Sequence, residues 1–321
     1  MFNSEKYITM KFKLNIKKGL GILALVIITN VSFGQQDPMY TQYFFSTQTI
    51  NPAYVGTWDA LGFMALTRQQ WVGWDGAPRT HTFMMQAPMR NDKVALGLSV
   101  ISDKIFKTNQ FGIWGDYSYK VKMTDVTNLR MGLKGGFTNY SNNLTQYGII
   151  DPNDQLFQGD LVNKFIPNFG VGLFLFNPMY YVGLSVPKML NNDITEDNPN
   201  NFVVQAERRH YFLEGGMVFN VNEYMKFKPT FITKVTQGAP AQLDLSANVL
   251  FLEKFWIGAM FRTKDAVGII AQFIYRNSLR VGYSFDYSTT RLHNYNSGTH
   301  EIMVSYELRT LKELVTSPRY F

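Results

Sequence analysis

Leu279-Arg280-Val281-Gly282-Tyr283-Ser284-Phe285-Asp286-Tyr287 alternates apolar and polar residues without a break. Side chains on a strand point to opposite faces in turn. Leu279, Val281, Tyr283, Phe285 and Tyr287 therefore share one face, and Arg280, Gly282, Ser284 and Asp286 share the other. A strand with one apolar face and one face of glycine, hydroxyl and charge suits two architectures. A soluble sandwich buries the apolar face inward, whereas a membrane barrel turns it outward to lipid and keeps the polar face for the lumen.

Outward from this stretch the same alternation recurs between residues 58 and 308, over Leu61–Trp71, Thr80–Pro88, Val94–Asp103, Phe111–Lys122, Leu129–Tyr140, Phe165–Phe176, Tyr180–Val186, His210–Asn220, Met225–Val235, Gln242–Phe251, Phe255–Arg262, Ala266–Tyr275, Leu279–Tyr287 and Glu301–Leu308. Connectors after the even members of this series are short and turn-forming: Asn91-Asp92, Thr124-Asp125, Asn177-Pro178, Asn222-Glu223, Glu253-Lys254 and Asn277-Ser278. Those after odd members are often long, as in Ser141–Lys164, Pro187–Arg209 and Ser288–His300. Short periplasmic turns, long outer loops and an even strand count are the layout of an outer-membrane barrel. The chain is thus expected to be all-β, a transmembrane barrel of about 14 antiparallel strands. Pro167 and Pro229 fall inside expected strands, where a missing amide donor predicts a bulge or a misplaced boundary.

The ends and the composition agree with export. Lys11, Lys13, Lys17 and Lys18 precede the apolar run Leu20–Ile28, which is followed by small or polar residues through Gly34. The run is too short to cross a bilayer and has the layout of a secretory signal peptide over residues 1–34. Residues 309–321 are expected to be a periplasmic tail. The formal charge of +7 falls once the leader, which carries five basic residues and one acidic residue, is removed, and this argues against nucleic acid as a partner. The absence of cysteine excludes disulfides, thiol catalysis and Cys-ligated zinc. Aromatic residues at 15% and charged residues at 17% make the chain aromatic-rich and charge-poor for a soluble domain, so outer-membrane lipid is an expected contact.

On the inward faces the alternation places Asp116, Lys120, Arg130, Lys134, Glu214, Asp244, Arg280, Asp286, Glu301 and Glu307. Mixed signs favour mutual neutralisation that holds neighbouring strands in register over a path selecting one ion type. His81, His210, His293 and His300 match no metal spacing, and neither a nucleophile elbow nor a phosphate loop occurs. No cofactor and no enzymatic activity are expected. The glycines of Gly132-Leu-Lys-Gly135-Gly136 suit close backbone approach in a barrel wall.

Residues 35–57 have a different texture, aromatic and amide-rich and broken by prolines. A segment placed before the first strand, on the periplasmic side, can fold back into the lumen. Tyr40, Tyr43, Phe44 and Tyr54 are expected to pack against the wall at the periplasmic end, since so many aromatics left in water form an apolar liability. Asp37, Gln42 and Asn51 are expected to pair with the charged lining.

The pieces Asp37-Pro38-Met39-Tyr40-Thr41-Gln42-Tyr43, Asn51-Pro52-Ala53-Tyr54-Val55-Gly56, Arg68-Gln69-Gln70-Trp71-Val72-Gly73 and Gly76-Ala77-Pro78-Arg79-Thr80 resemble the PorP/SprF family of the type IX secretion system. The resemblance covers the mature chain in length and layout. It implies an outer-membrane barrel that exports, docks or anchors a large cell-surface protein, such as a gliding adhesin or a protein with a type B C-terminal domain. It also implies contact with the periplasmic ring of the machinery. A passive transporter for small or hydrophobic solutes is the alternative reading of the same barrel.

Overall fold

The structure, a computed structural model, describes residues 38–58, 60–142, 161–194, 205–237 and 239–308. The expected leader (1–34), Asp37 and the expected tail (309–321) lie outside these residues. In chain order the strands are β1 Gly62–Gln69, β2 Arg79–Pro88, β3 Val94–Ile105, β4 Thr108–Lys122, β5 Asn128–Asn142, β6 Leu161–Phe176, β7 Tyr180–Val186, β8 Asn192–Ile194, β9 Gln205–Glu207, β10 His210–Met217, β11 Phe219–Asn222, β12 Met225–Thr236, β13 Gln242–Phe251, β14 Phe255–Arg262, β15 Ala266–Tyr275, β16 Leu279–Ser288 and β17 Thr299–Glu307.

Every consecutive pair in the main sheet is antiparallel, and the sheet closes where β1 pairs with β17 from Gly62↔Glu307 to Gln69↔His300. β10 and β11 are one spanning strand, because both pair with β12 in the same register (Gly216↔Thr230, Phe219↔Phe227). β8 and β9 form a separate hairpin in the connector after β7. The result is a closed barrel of 14 strands. Closure leaves no sheet edge, which is what a lipid environment demands of backbone donors and acceptors.

Alternation decides which side is which. Val281, Tyr283 and Tyr287 on β16, Val267 and Ile269 on β15, and Leu133 on β5 are exposed on the outer wall. Their neighbours Arg280, Ser284, Asp286, Ile270 and Lys134 are buried inside. The buried core therefore lies in the lumen, where Phe174, Tyr181, Leu250, Trp256, Ile270 and Met303 surround the N-terminal segment.

Boundaries differ from expectation chiefly at the long-loop end, where β3, β4, β5 and β6 run further. No bulge occurs at either proline. At Pro167, β6 pairs only with β5, since its register with β7 begins at Val171. One flank there requires no donor. Pro229 lies beside the break between β10 and β11 at Val218, so its missing N–H costs a local pairing without shifting register. The register shifts fall elsewhere, at Tyr140/Asn142 and Asn220/Asn222.

Candidate functional site in the occupied lumen

The segment that fills the lumen folds by tight local turns. Phe45 N–H donates to Gln42 O at 2.9 Å, Thr49 N–H to Ser46 O at 3.0 Å and Tyr54 N–H to Asn51 O at 3.1 Å. A short 3-10 turn at Pro52–Tyr54 is opened by Asn51, whose side-chain oxygen accepts from Ala53 N–H at 3.0 Å, with Pro52 at the first turn position where no donor is required. These turns leave several amides and carbonyls without partners inside the segment. The lumen wall supplies partners for several of them.

Near the long-loop end, Thr41 and Gln42 N–H both donate to the Glu301 carboxylate at 3.0 Å. Arg68 reaches Thr41 Oγ1 at 2.7 Å, Glu301 at 3.2 Å and Asp286 at 3.0 Å, and Thr41 Oγ1 also donates to Asp286 at 2.5 Å. Arg262 donates to Tyr40 O at 2.8 Å while ion-paired to Asp244 at 2.8 Å. Midway, Gln48 Nε2 donates to Asp116, Ser99 and the carbonyls of Met85 and Leu98, each at 3.2 Å. Lys134 bridges Gln48 O (3.1 Å) and Asp116 (3.3 Å). Asn51 Nδ2 donates to Glu214 at 2.9 Å. Toward the short-turn end, Arg130 donates to Gly56 O at 2.6 Å, Gly56 N–H to Gln86 at 2.7 Å, and Ser118 to Val55 O.

Apolar contacts run between these polar ones. Tyr54 meets Phe174 edge-on at 5.5 Å between ring centroids, and Phe45 meets Trp256 at 6.0 Å. The ammonium of Lys228 lies 5.1, 5.3, 5.8 and 5.8 Å from the rings of Phe44, Phe45, Tyr181 and Trp256. It is wholly buried and makes no hydrogen bond among the described residues, so the ring faces are its main compensation, with the Glu214 carboxyl as an opposing charge in the same lumen. The Tyr43 hydroxyl donates to Pro38 O at 3.3 Å, and the Tyr54 hydroxyl accepts from Trp58 Nε1 at 3.4 Å. At Gly132 on β5 the plug backbone comes so near that a Cβ would lie 2.6 Å from Ala53 Cα, with Pro52 C and Ala53 N closer still. No side chain fits there.

All ten expected inward charges are on the lumen side, Lys120 half-buried at the short-turn end. Their pairing is Lys134–Asp116, Arg262–Asp244, Arg280–Glu307 and Arg68–Asp286/Glu301. Of the motif residues, Pro38, Tyr40, Thr41, Gln42, Tyr43, Asn51, Pro52, Ala53, Tyr54 and Gly56 lie in the lumen segment, and Arg68 joins it from β1. Gln70, Trp71 and Pro78 are not with them. They belong to the β1–β2 loop at the outer rim, where Gln70 N–H donates to Pro78 O at 3.0 Å.

The expected depth requires correction. The segment is not confined to the periplasmic end but descends the whole lumen, from Tyr40–Gln42 beside Asp286 and Arg262 to Gly56 beside Asp92 and Arg130. Its partners are spread over the wall's full height, and the amide donors of Thr41 and Gln42 match carboxylates found near the outer end. Sequence reasoning also missed Lys228 and Arg262 as lining residues. The alternation Lys226-Phe227-Lys228 carried a legible signal, but Pro229 obscured it; Arg262 stood at a strand end.

Between the plug and β3–β5 a cavity of about 70 Å³ remains toward the outer end, bordered by Tyr40, Asp103, Trp114, Lys134, Lys188 and Phe212. Lys188 lies over the Trp114 ring at 5.7 Å. The mouth is thus amphipathic and the level beneath it is filled.

The family model described as type IX secretion system membrane protein PorP/SprF matches residues 32–306. Among curated proteins none matches the chain. Among solved structures, the chain is similar to the Acinetobacter baumannii outer membrane protein Omp33 (10% identity, TM-score 0.45, covering 78% of this chain and 99% of that one). It is also similar to a Pseudomonas aeruginosa FadL homologue (11% identity, TM-score 0.44, covering 81% and 93%).

Proposed function

From the premise that this chain belongs to the PorP/SprF family of type IX secretion system membrane proteins, and that its fold is that of an outer-membrane barrel, we propose that it docks and anchors an exported cell-surface protein. It does so without enzymatic chemistry and without a cofactor. The observation that carries this reading is the occupied lumen. Residues 38–58 engage the lining from one end to the other, so the barrel is built as a platform and not as a conduit. The outer mouth, with its long loops and the amphipathic cavity beside Trp114 and Lys188, is the face offered to the exported partner. That partner is a large adhesin or a protein with a type B C-terminal domain, while the periplasmic side contacts the ring of the secretion machinery.

Affinity purification of the tagged barrel from its native membrane tests this. Recovery of a large surface protein and ring components is expected, and gene deletion is expected to strip one or a few surface proteins while general secretion continues. Loss of every secreted substrate would point to a core translocation role instead. Steady conductance of the purified protein in a planar bilayer would favour solute transport and overturn the docking reading.

A further inference from the structure

One sector of the lipid-facing wall carries basic and polar side chains near its outer edge. Strand register sets the outward residues of β17, β1, β2 and β3 in rungs. The outermost is His300, Gln69, Arg79, Lys104; the next is Ile302, Thr67, His81, Ser102; the third is Val304, Ala65, Phe83, Val100. At the same end of β14, β15 and β16 the outward rung is Phe261, Val267, Tyr287, wholly apolar or aromatic.

Arg79 and Lys104 are directly opposite one another and both exposed. Like charges facing across a strand pair are destabilising. Neither is ion-paired among the described residues: Asp103 turns to the lumen and accepts from Thr80 Oγ1 at 2.6 Å, and Asp75, exposed in the preceding loop, bonds to neither. Two imidazoles flank the pair, His81 sharing Nδ1 with Thr67 Oγ1 at 2.9 Å and His300 sharing Nδ1 with Tyr283 OH at 2.7 Å. Each keeps Nε2 for another partner. Immediately below, the wall is hollowed by a depression of about 390 Å³ over Ala65, Leu66, Phe83, Val100, Ile302 and Val304. Above, the exposed rings of Trp74 and Tyr295 stand 6.4 Å apart at the level where aromatics meet headgroups.

We propose that this sector binds a phosphorylated glycolipid of the outer leaflet. Its phosphate bridges Arg79 and Lys104, replacing their mutual repulsion with two charge-assisted contacts. One acyl chain lies in the depression above Ala65, and the sugar faces Trp74 and Tyr295. The site is on the wall's exterior and is independent of the lumen's role.

The test is native mass spectrometry of the full-length barrel in detergent with added lipid A, dephosphorylated lipid A, phosphatidylglycerol or phosphatidylcholine. Retention of one lipid A is expected, reduced at least tenfold by R79A/K104A and by Ala65→Trp, but unchanged by Lys122→Ala at the opposite end. Heat-modifiable gel migration verifies that each variant folds. Dephosphorylated lipid A, which requires no variant, is expected to be retained at least tenfold less. Equal retention of it, undiminished binding by R79A/K104A, or phosphatidylglycerol or phosphatidylcholine retained as well as lipid A would overturn the proposal.

Discussion

Arg68 is, with Arg262, one of two wall cations that hold the outer end of the plug, and Arg68→Ala is the most informative single substitution. The guanidinium ties Thr41 of the plug to Asp286 on β16 and Glu301 on β17, with both carboxylates buried. Removing one partner of a buried pair typically costs about 3–5 kcal/mol, because the remaining charge loses its compensation. Here Glu301 keeps two amide donors and Asp286 keeps the Thr41 hydroxyl, so the lower end of that range applies, about 3 kcal/mol. At 1.4 kcal/mol per decade, the plug's opening equilibrium is expected to rise on the order of 100-fold. The cysteine-free chain permits a clean readout: a lone Thr47→Cys at a buried plug position, labelled with a water-soluble maleimide, reports each opening. Arg68→Lys should fall between, since an ammonium cannot reproduce the forked contacts. A neutral triple variant, R68M/D286N/E301Q, should recover part of the loss by discarding the orphaned charges. Labelling of Arg68→Ala within about threefold of the parent, in a barrel that still runs as folded on a gel, would refute a role for this network in holding the plug.

Three further outcomes follow from the same contacts. Deleting residues 37–56 should open a measurable conductance in planar bilayers and weaken capture of the exported partner; a variant that stays sealed and keeps its partner would reduce the segment to a linker. Gly132→Val should raise Thr47→Cys labelling without unfolding the barrel, because the added carbons meet the backbone of Pro52 and Ala53 while the strand itself tolerates valine; unchanged labelling would show that the plug does not sit against β5. Lys228→Met should loosen the plug by about 2 kcal/mol through lost cation–π contact, and adding Glu214→Gln should restore at least half of that; a purely additive double variant, read by Tm in a double-mutant cycle, would deny the coupling between the two sites.

The barrel was legible in residues 279–287 and their repeats because strand alternation is a local property: adjacent side chains go to opposite faces whatever the rest of the chain does. Turn residues such as Asn91-Asp92 and Asn277-Ser278 are equally local, and they ordered the strands and oriented the barrel before any contact was known. The inward charges followed from the same parity, and the aromatic excess of the segment before the first strand was plain from its composition. Which charge meets which group did not follow. Arg68, Asp286 and Glu301 lie on three strands that become neighbours only when β1 closes on β17, so their convergence on Thr41 depends on register around the whole ring. The plug's depth and the aromatic cage around Lys228 likewise depend on how distant strands meet across the lumen, whereas the Arg79–Lys104 rung is set locally by the β2–β3 pairing. Alternation assigns a residue to a face, but only the closed sheet gives it a height and a neighbour.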